Sequence, residues 1–180
     1  LSGVKVAVQG VGHVGSRLVE LLTKDGAEII VSDINQNSLD SIQKKYSVKA
    51  VDPEDIYDVD CDVFSPAGLG GTINENTIPR LKCKLVVGAA NNQLLKDSDA
   101  DLLQKRDIYY VPDFIVNCGG VTIGTAEIYG LTYDEAFKKI DIVRDNVYEI
   151  DRIAREKGIT TQQAAIEMAV SRVNQKKAKR

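Results

Sequence analysis

Residues 4–33 read VKVAVQGVGHVGSRLVELLTKDGAEIIVSD, and the fold is decided in this stretch. Val4, Val6, Ala7 and Val8 form the short apolar run that a buried parallel strand carries. The run stops at Gly10-Val11-Gly12-His13-Val14-Gly15, a G-x-G-x-x-G. Val14, Leu18, Leu21 and Leu22 then recur at helical spacing, so the glycines sit on a strand-to-helix turn. A second apolar strand, Glu28 to Ser32, ends in Asp33, 18 residues after Gly15.

Each part of this pattern has a physical reason. Gly10 permits the tight turn, Gly12 lets the backbone approach a pyrophosphate, and Gly15 lets the helix pack against the strand. The free N–H groups and positive dipole end of that helix then meet phosphate charge. Asp33 stands at the tip of the second strand, where a carboxylate accepts a bond from a ribose 2′-hydroxyl and repels a 2′-phosphate. The expected ligand is a dinucleotide, NAD in preference to NADP. The competing reading is an ordinary β-α-β unit with an incidental acid.

At 180 residues the chain can bury one good core, and one domain is the default. A net charge of −3 argues against a nucleic-acid-binding surface. The basic tail Lys176, Lys177, Lys179 and Arg180 reads as a solvated, frayed end. There is no apolar run of membrane-spanning length and no signal-peptide pattern at the start. Cys61, Cys83 and Cys118 are an odd count without a C-x-x-C, which fits a reducing cytoplasm and neither a disulfide framework nor a zinc site. His13 is the single histidine, so a metal site built on imidazoles and a histidine relay elsewhere are both excluded. The chain opens on Leu1 and enters a strand almost at once, as expected of a piece of a longer protein.

Strand and helix patterns alternate onward, which predicts a Rossmann-type α/β fold, a doubly wound parallel sheet with helices at its carboxyl end. After a helix from Ser38 to Tyr46 come a third strand at Lys49-Ala50-Val51 and a helical turn started by Pro53. A fourth strand over Cys61 to Pro66 runs into Ala67-Gly68-Leu69-Gly70-Gly71. Small residues at a strand's carboxyl end leave room for a ligand, although an ordinary flexible loop reads the same way. A short helix over Asn74 to Leu81 precedes a fifth strand, Leu85-Val86-Val87, which ends in Gly88-Ala89-Ala90-Asn91-Asn92. A surface helix over Asp97 to Lys105 leads to a sixth strand, Ile108 to Val111, and on to Pro112–Gly120. Three such ends imply a crevice along one edge of the sheet. From Thr132 the pattern turns helical. Ala136, Ile140, Val143, Val147, Ile150 and Ala154 predict one long amphipathic helix that Gly158 ends, and Thr160 caps a last one. These helices are expected partly to cover the sheet and partly to leave for another domain.

Several motifs taken together resemble one family. They are VAVQGVGHVG (6–15), VSDIN (31–35), CDVFSPAGLGGTIN (61–74), GAANNQL (88–94), PDFIVNCGGV (112–121) and TTQQAAIEMAVSRV (160–173). They look like the cofactor-binding, carboxyl-terminal domain of the glutamate/leucine/phenylalanine/valine dehydrogenases, from Leu1 to about Val173. GAANNQL and the stretch from Ala126 to Gly130 are closer to the leucine dehydrogenase branch. The resemblance implies oxidative deamination of an apolar, branched-chain or similar L-amino acid to its 2-oxo acid, with hydride passed to NAD. It implies that Gly10, Gly12, His13, Val14 and Gly15 hold the pyrophosphate, and Asp33 and Ile34 the adenosine side. Ala67 and Gly68 would line the dinucleotide path, Ala89, Ala90 and Asn91 would lie by the nicotinamide ribose, and Asn117 would bond the carboxamide. Val121 and Gly124, on one helical face, match positions that shape the substrate pocket. Asn117 also reads as a helix cap, Val121 as ordinary core, Asp113 as a capping or turn residue, and Cys118 as a small buried residue.

The departures from the family carry as much as the match. By the resemblance, a catalytic lysine, a substrate-binding lysine and an aspartate come from an amino-terminal domain, and nothing in this chain resembles its glycine-rich, lysine-containing motif. The domain expectation is therefore one NAD-binding domain over 1–180, with a helical extension over 132–180 and no amino-terminal catalytic domain. No catalytic residue and no metal ligand is expected in this chain, which alone should bind NAD and not turn over amino acid. The full enzyme is expected to be a homo-oligomer. Gly124 replaces a branched residue, which would deepen the pocket for larger side chains. Two other readings compete: a free-standing NAD-binding sensor, and a regulatory nucleotide domain of the potassium-channel type, which the Asn-rich strand ends oppose.

Overall fold

The computed structural model describes residues 1–178, in two compact units, Leu1–Asp113 and Phe114–Arg180. The expected extension over 132–180 falls within the second.

The first unit is one six-stranded sheet. Its strands are β1 (Lys5–Gln9), β2 (Glu28–Ser32), β3 (Lys49–Ala50), β4 (Val63–Pro66), β5 (Leu85–Val86) and β6 (Tyr109–Tyr110). Their order is β3-β2-β1-β4-β5-β6, and every pairing is parallel. This is the expected doubly wound α/β architecture. The chain starts at the centre, winds outward through β2 and β3, then returns to the other side of β1 at β4. That reversal opens a crevice at the carboxyl ends of β1 and β4, where such sheets bind ligands.

The middle of β1 is apolar because it is central and covered on both faces: Val6, Ala7 and Val8 are all buried. Alternation of side chains divides the core in two. Val6 and Val8 pack with Val19, Val31 and Leu39 on one face, under helices α1 (His13–Lys24) and α2 (Gln36–Lys45). Ala7 packs with Phe64, Val86, Leu103 and Tyr110 on the other.

Three local expectations need correction. Val14 is 59% exposed, and the buried positions of α1 are Gly15 and Val19, because the helix turns Gly15 onto the strand. The helix expected over Asn74 to Leu81 is only a 3-10 turn, Ile78–Arg80. Asn74 Oδ1 accepts the N–H groups of Asn76 and Thr77, and Pro79 has no N–H for a longer ladder. The helix expected on the surface over Asp97 to Lys105 is α3 (Asp99–Lys105), which buries Leu103 completely in the core.

After the short α4 (Asp113–Val116), the second unit holds α5 (Gly119–Ile128), α6 (Tyr133–Ile140), α7 (Ile142–Lys157) and α8 (Thr161–Lys177). The single long helix predicted here is broken at Asp141, which keeps helical dihedrals (φ −57°, ψ −24°) while the ladder is interrupted. Gly158 ends α7 in the left-handed conformation (φ 65°). Thr160 and Gln163 close a capping box on α8, so both predicted signals act where they were read. Ile115, Ile150, Ala154, Ala164, Ala165 and Met168 form this unit's core. Of the basic tail, Lys176 and Lys177 are exposed on α8, and Lys179 and Arg180 lie outside the described residues.

Candidate functional site

The first unit's crevice is built on backbone contact. Gly10 leaves β1 at φ 98°, and its N–H donates to Ser32 O at 2.8 Å. A Cβ at Gly10 would lie 2.7 Å from Gly68 Cα, and one at Gly15 would lie 2.0 Å from Gly10 O. Neither position admits a side chain, so the turn, the start of α1 and the loop after β4 are stacked as close as backbones allow. Gly12 differs. A Cβ there would meet no heavy atom within 4 Å, so no contact inside the chain demands glycine at the N-cap of α1. No side chain caps that helix and its first turn holds no acid, which leaves the dipole end and its N–H groups facing the crevice.

Asp33 does more than its position in the sequence predicts. Its Oδ2 accepts the N–H of Val11 at 2.7 Å, inside the glycine loop, and its Oδ1 accepts the N–H of Asn35 at 2.8 Å. A carboxylate has about four lone-pair sites, so acceptor capacity is left over. The crevice beside it is a cleft of about 330 Å³ lined by Gly10, Gly12, Asp33, Ile34, Ala67 and Gly68, all expected from the sequence. His13, Val14 and Gly15 form the adjoining first turn of α1. Gln9, Ser32 and Thr72 also line the cleft, and sequence reading missed them. Each contributes a buried oxygen without a partner: Gln9 Oε1, Ser32 Oγ and Thr72 Oγ1. Three such atoms around one cleft fit a polar ligand there. The only signal in the sequence for Gln9 and Ser32 was a polar residue at the end of a hydrophobic strand, and Thr72 had none beyond following the glycine-rich loop.

Ala89, Ala90 and Asn91 do not line this cleft; they follow β5 on the same edge of the sheet. Their loop is tied to the loop after β4. Ala90 N donates to Pro66 O (2.9 Å), Gly71 N to Asn92 O (2.7 Å) and Ile73 N to Gln93 O (3.0 Å), and Ile73 and Leu94 form a parallel bridge.

Asn117, Val121 and Gly124 belong to the second unit. Cys118 is the N-cap of α5, so Asn117 is not its cap, and Cys118 is half-buried where a buried residue was expected. Val121 is 73% exposed, which overturns its reading as core. A Cβ at Gly124 would meet nothing within 4 Å.

Candidate reactive groups are otherwise engaged. The buried Asp113 carboxylate accepts the backbone N–H of Gln93 at 2.7 Å, a long-range anchor where a local cap was expected. Cys61 and Cys83 are buried free thiols, and the hydrogen bond between them, with burial, pushes Cys61 up. Among the described residues no cluster of three or more His, Cys, Asp or Glu could hold a metal, and no helix is long and apolar enough to cross a membrane.

The profile of the glutamate/leucine/phenylalanine/valine dehydrogenase family matches residues 31–180, which leaves the glycine loop just outside the matched stretch. The chain is 43% identical over 173 residues to the leucine dehydrogenase of Geobacillus stearothermophilus, covering 96% of this chain and 47% of that one. It is 42% identical over 178 residues to the phenylalanine dehydrogenase of Caldalkalibacillus thermarum, covering 96% and 48%. The crystal structure of L-tryptophan dehydrogenase from Nostoc punctiforme superposes with a TM-score of 0.93 at 38% identity, over 97% of this chain and 53% of that one. The chain thus spans about half the length of the curated relatives it matches.

Proposed function

The chain belongs to the glutamate/leucine/phenylalanine/valine dehydrogenase family, and from that premise we propose that it is the cofactor-binding domain of an NAD-dependent L-amino-acid dehydrogenase. Family and doubly wound sheet together imply a nicotinamide cofactor. The observation that carries the proposal is the cleft at the end of β1, where a glycine turn, a helix N-terminus, Asp33 and three unpartnered buried oxygens converge.

In this reading Gly10, Gly12, His13, Val14 and Gly15 take the pyrophosphate. Asp33 and Ile34 take the adenosine ribose and its base, and the charge of Asp33 disfavours a 2′-phosphate, hence NAD. Ala67 and Gly68 leave the path clear, Ala89, Ala90 and Asn91 serve the nicotinamide half, and Asn117 serves its carboxamide. Val121 and Gly124 help shape a pocket for a branched-chain or similar apolar amino acid. When bound, the nicotinamide supplies the hydride acceptor. The chain's own contribution is to bind and orient it, since no side chain here is assigned to activate water or handle the imine. Those groups belong to an amino-terminal domain of the full enzyme, a cytoplasmic homo-oligomer.

One calorimetric series tests this. The chain is expected to bind NAD at least about ten-fold more tightly than NADP, through Asp33. With L-leucine added it should form no NADH. Equal affinity for NADP would remove the role given to Asp33, and leucine-dependent NADH formation would remove the division of labour.

A further inference from the structure

We infer that Gln93 is the positioning residue for the nicotinamide half of the site, fixing the loop over residues 88–92 through its side-chain amide. The inference rests on the proposed role of Ala89, Ala90 and Asn91.

The loop needs such a residue. Between Gly88 and Asn92 there is neither helix nor strand, and Asn92 takes a left-handed conformation at φ 51°. No regular ladder sets its shape. A turn of this kind holds one geometry only if its carbonyls are tied down.

Gln93 does this from beneath. It is completely buried, and its Nε2 donates to Gly88 O at 2.8 Å and to Ala90 O at 3.0 Å. A carboxamide nitrogen has two hydrogens, and both are spent on the two carbonyls that bracket Ala89. The opposite amide orientation would set an oxygen against two oxygens, so the network fixes which way it points. The Gln93 backbone is held in turn: its N–H donates to Asp113 Oδ2 at 2.7 Å, and its carbonyl accepts from Ile73 N at 3.0 Å. Asp113 is itself buried and carries Tyr110 OH at 3.3 Å from its own N–H. The segments that follow β4, β5 and β6 therefore meet at one residue, its side chain holding the loop after β5 and its backbone bonding the other two. Gln93 lines none of the cleft beside Asp33 and is completely buried, so its influence reaches a ligand only through the loop it ties.

Dinucleotide sites on doubly wound sheets have two mononucleotide halves, one on each side of the switch point. Asp33 and the glycine turn lie on the β1–β2 side, and the loop held by Gln93 lies on the β5 side. That separation gives a test that general destabilisation would not imitate. Binding of NAD and of ADP-ribose, which lacks the nicotinamide ring, is measured by calorimetry on the full chain, wild type and Gln93→Met. Methionine keeps the length and volume and removes both donors. The expected result is an NAD affinity about ten-fold lower, as two buried carbonyls lose their donor. ADP-ribose affinity should stay within about two-fold. Parallel loss of both ligands, or no loss of either, overturns the inference. If far-UV circular dichroism shows that Gln93→Met does not fold, Gln93→Asn, one methylene too short to reach both carbonyls, is measured against the same outcomes. A wild-type chain that binds neither ligand, or binds both equally, overturns the nicotinamide reading and this inference with it. A wild type that prefers NAD, beside a variant that keeps that preference, overturns this inference alone.

Discussion

The two units solve the same problem, burying apolar surface, by opposite means. In the unit Leu1–Asp113 the fully buried side chains include six large ones, Phe64, Ile56, Ile73, Ile78, Leu81 and Leu103, beside valines and Ala7. A sheet and its covering layer stand about 10 Å apart, and long side chains fill that gap. In the unit beginning at Phe114, three of the six core residues are alanines, Ala154, Ala164 and Ala165. Small residues let α7 and α8 approach closely, so less apolar area leaves water. The helices of this unit, chiefly α5 and α6, keep large apolar groups on the outside: Val121, Ile128, Tyr129, Tyr133, Phe137 and Tyr148 are 58–81% exposed. Periodicity alone does not separate a stripe that is buried from one that is only regular. The sheet spends its hydrophobic side chains inward, and the helices leave many of theirs facing out.

The largest expected effect tests this contrast directly. Phe64→Ala should cost about 3–5 kcal/mol, read as lost amide protection in β1, β4 and β5, since it opens a cavity in the sheet core. Ile150→Ala, in the alanine-rich core, should cost the lower part of the range for such truncations, about 2–3 kcal/mol, read in α7 and α8. Equal losses would break the comparison. Next in size is Gly15→Ala, whose Cβ would lie 2.0 Å from Gly10 O. It should cost about 1–3 kcal/mol in urea unfolding. Wild-type stability would mean that the turn yields where the backbone contacts say it cannot. The smallest is Thr160→Ala, which removes the capping box of α8 and should lower stability by about 1 kcal/mol in thermal unfolding. No change there would mean that the alanine packing alone sets the start of α8.

What was legible in the sequence follows the same line. The β1–α1–β2 stretch could be read because apolar strand runs, glycine spacing and helical spacing all agreed over thirty consecutive residues, and the sheet followed from repeating that pattern. The break at Asp141 left no trace, since no glycine or proline marks it. Pro79 does mark the failure of the helix after Asn74, since it offers no N–H for a longer ladder. In the site, the glycines and Asp33 announce themselves by type. The bond from Val11 N–H to Asp33 does not, because any residue at position 11 offers the same N–H. Gln93 was visible only as one letter of GAANNQL. Its partner Asp113 lies 20 residues on, and only the fold brings the two together.

The bond between Asp33 and Val11 has a consequence for how cofactor preference could change. Replacing Asp33 by a small neutral residue is the obvious single step toward accepting a 2′-phosphate, since it deletes the opposing charge. The same step deletes the acceptor that holds Val11 N–H and frees the glycine loop whose shape any dinucleotide needs. The first substitution would then weaken binding of both cofactors before it favoured either. A route to the other preference has to restore an acceptor for Val11 first or at the same time. Along this path two changes that are each unhelpful alone must arrive together, which would make the proposed preference for NAD hard to leave by single mutations.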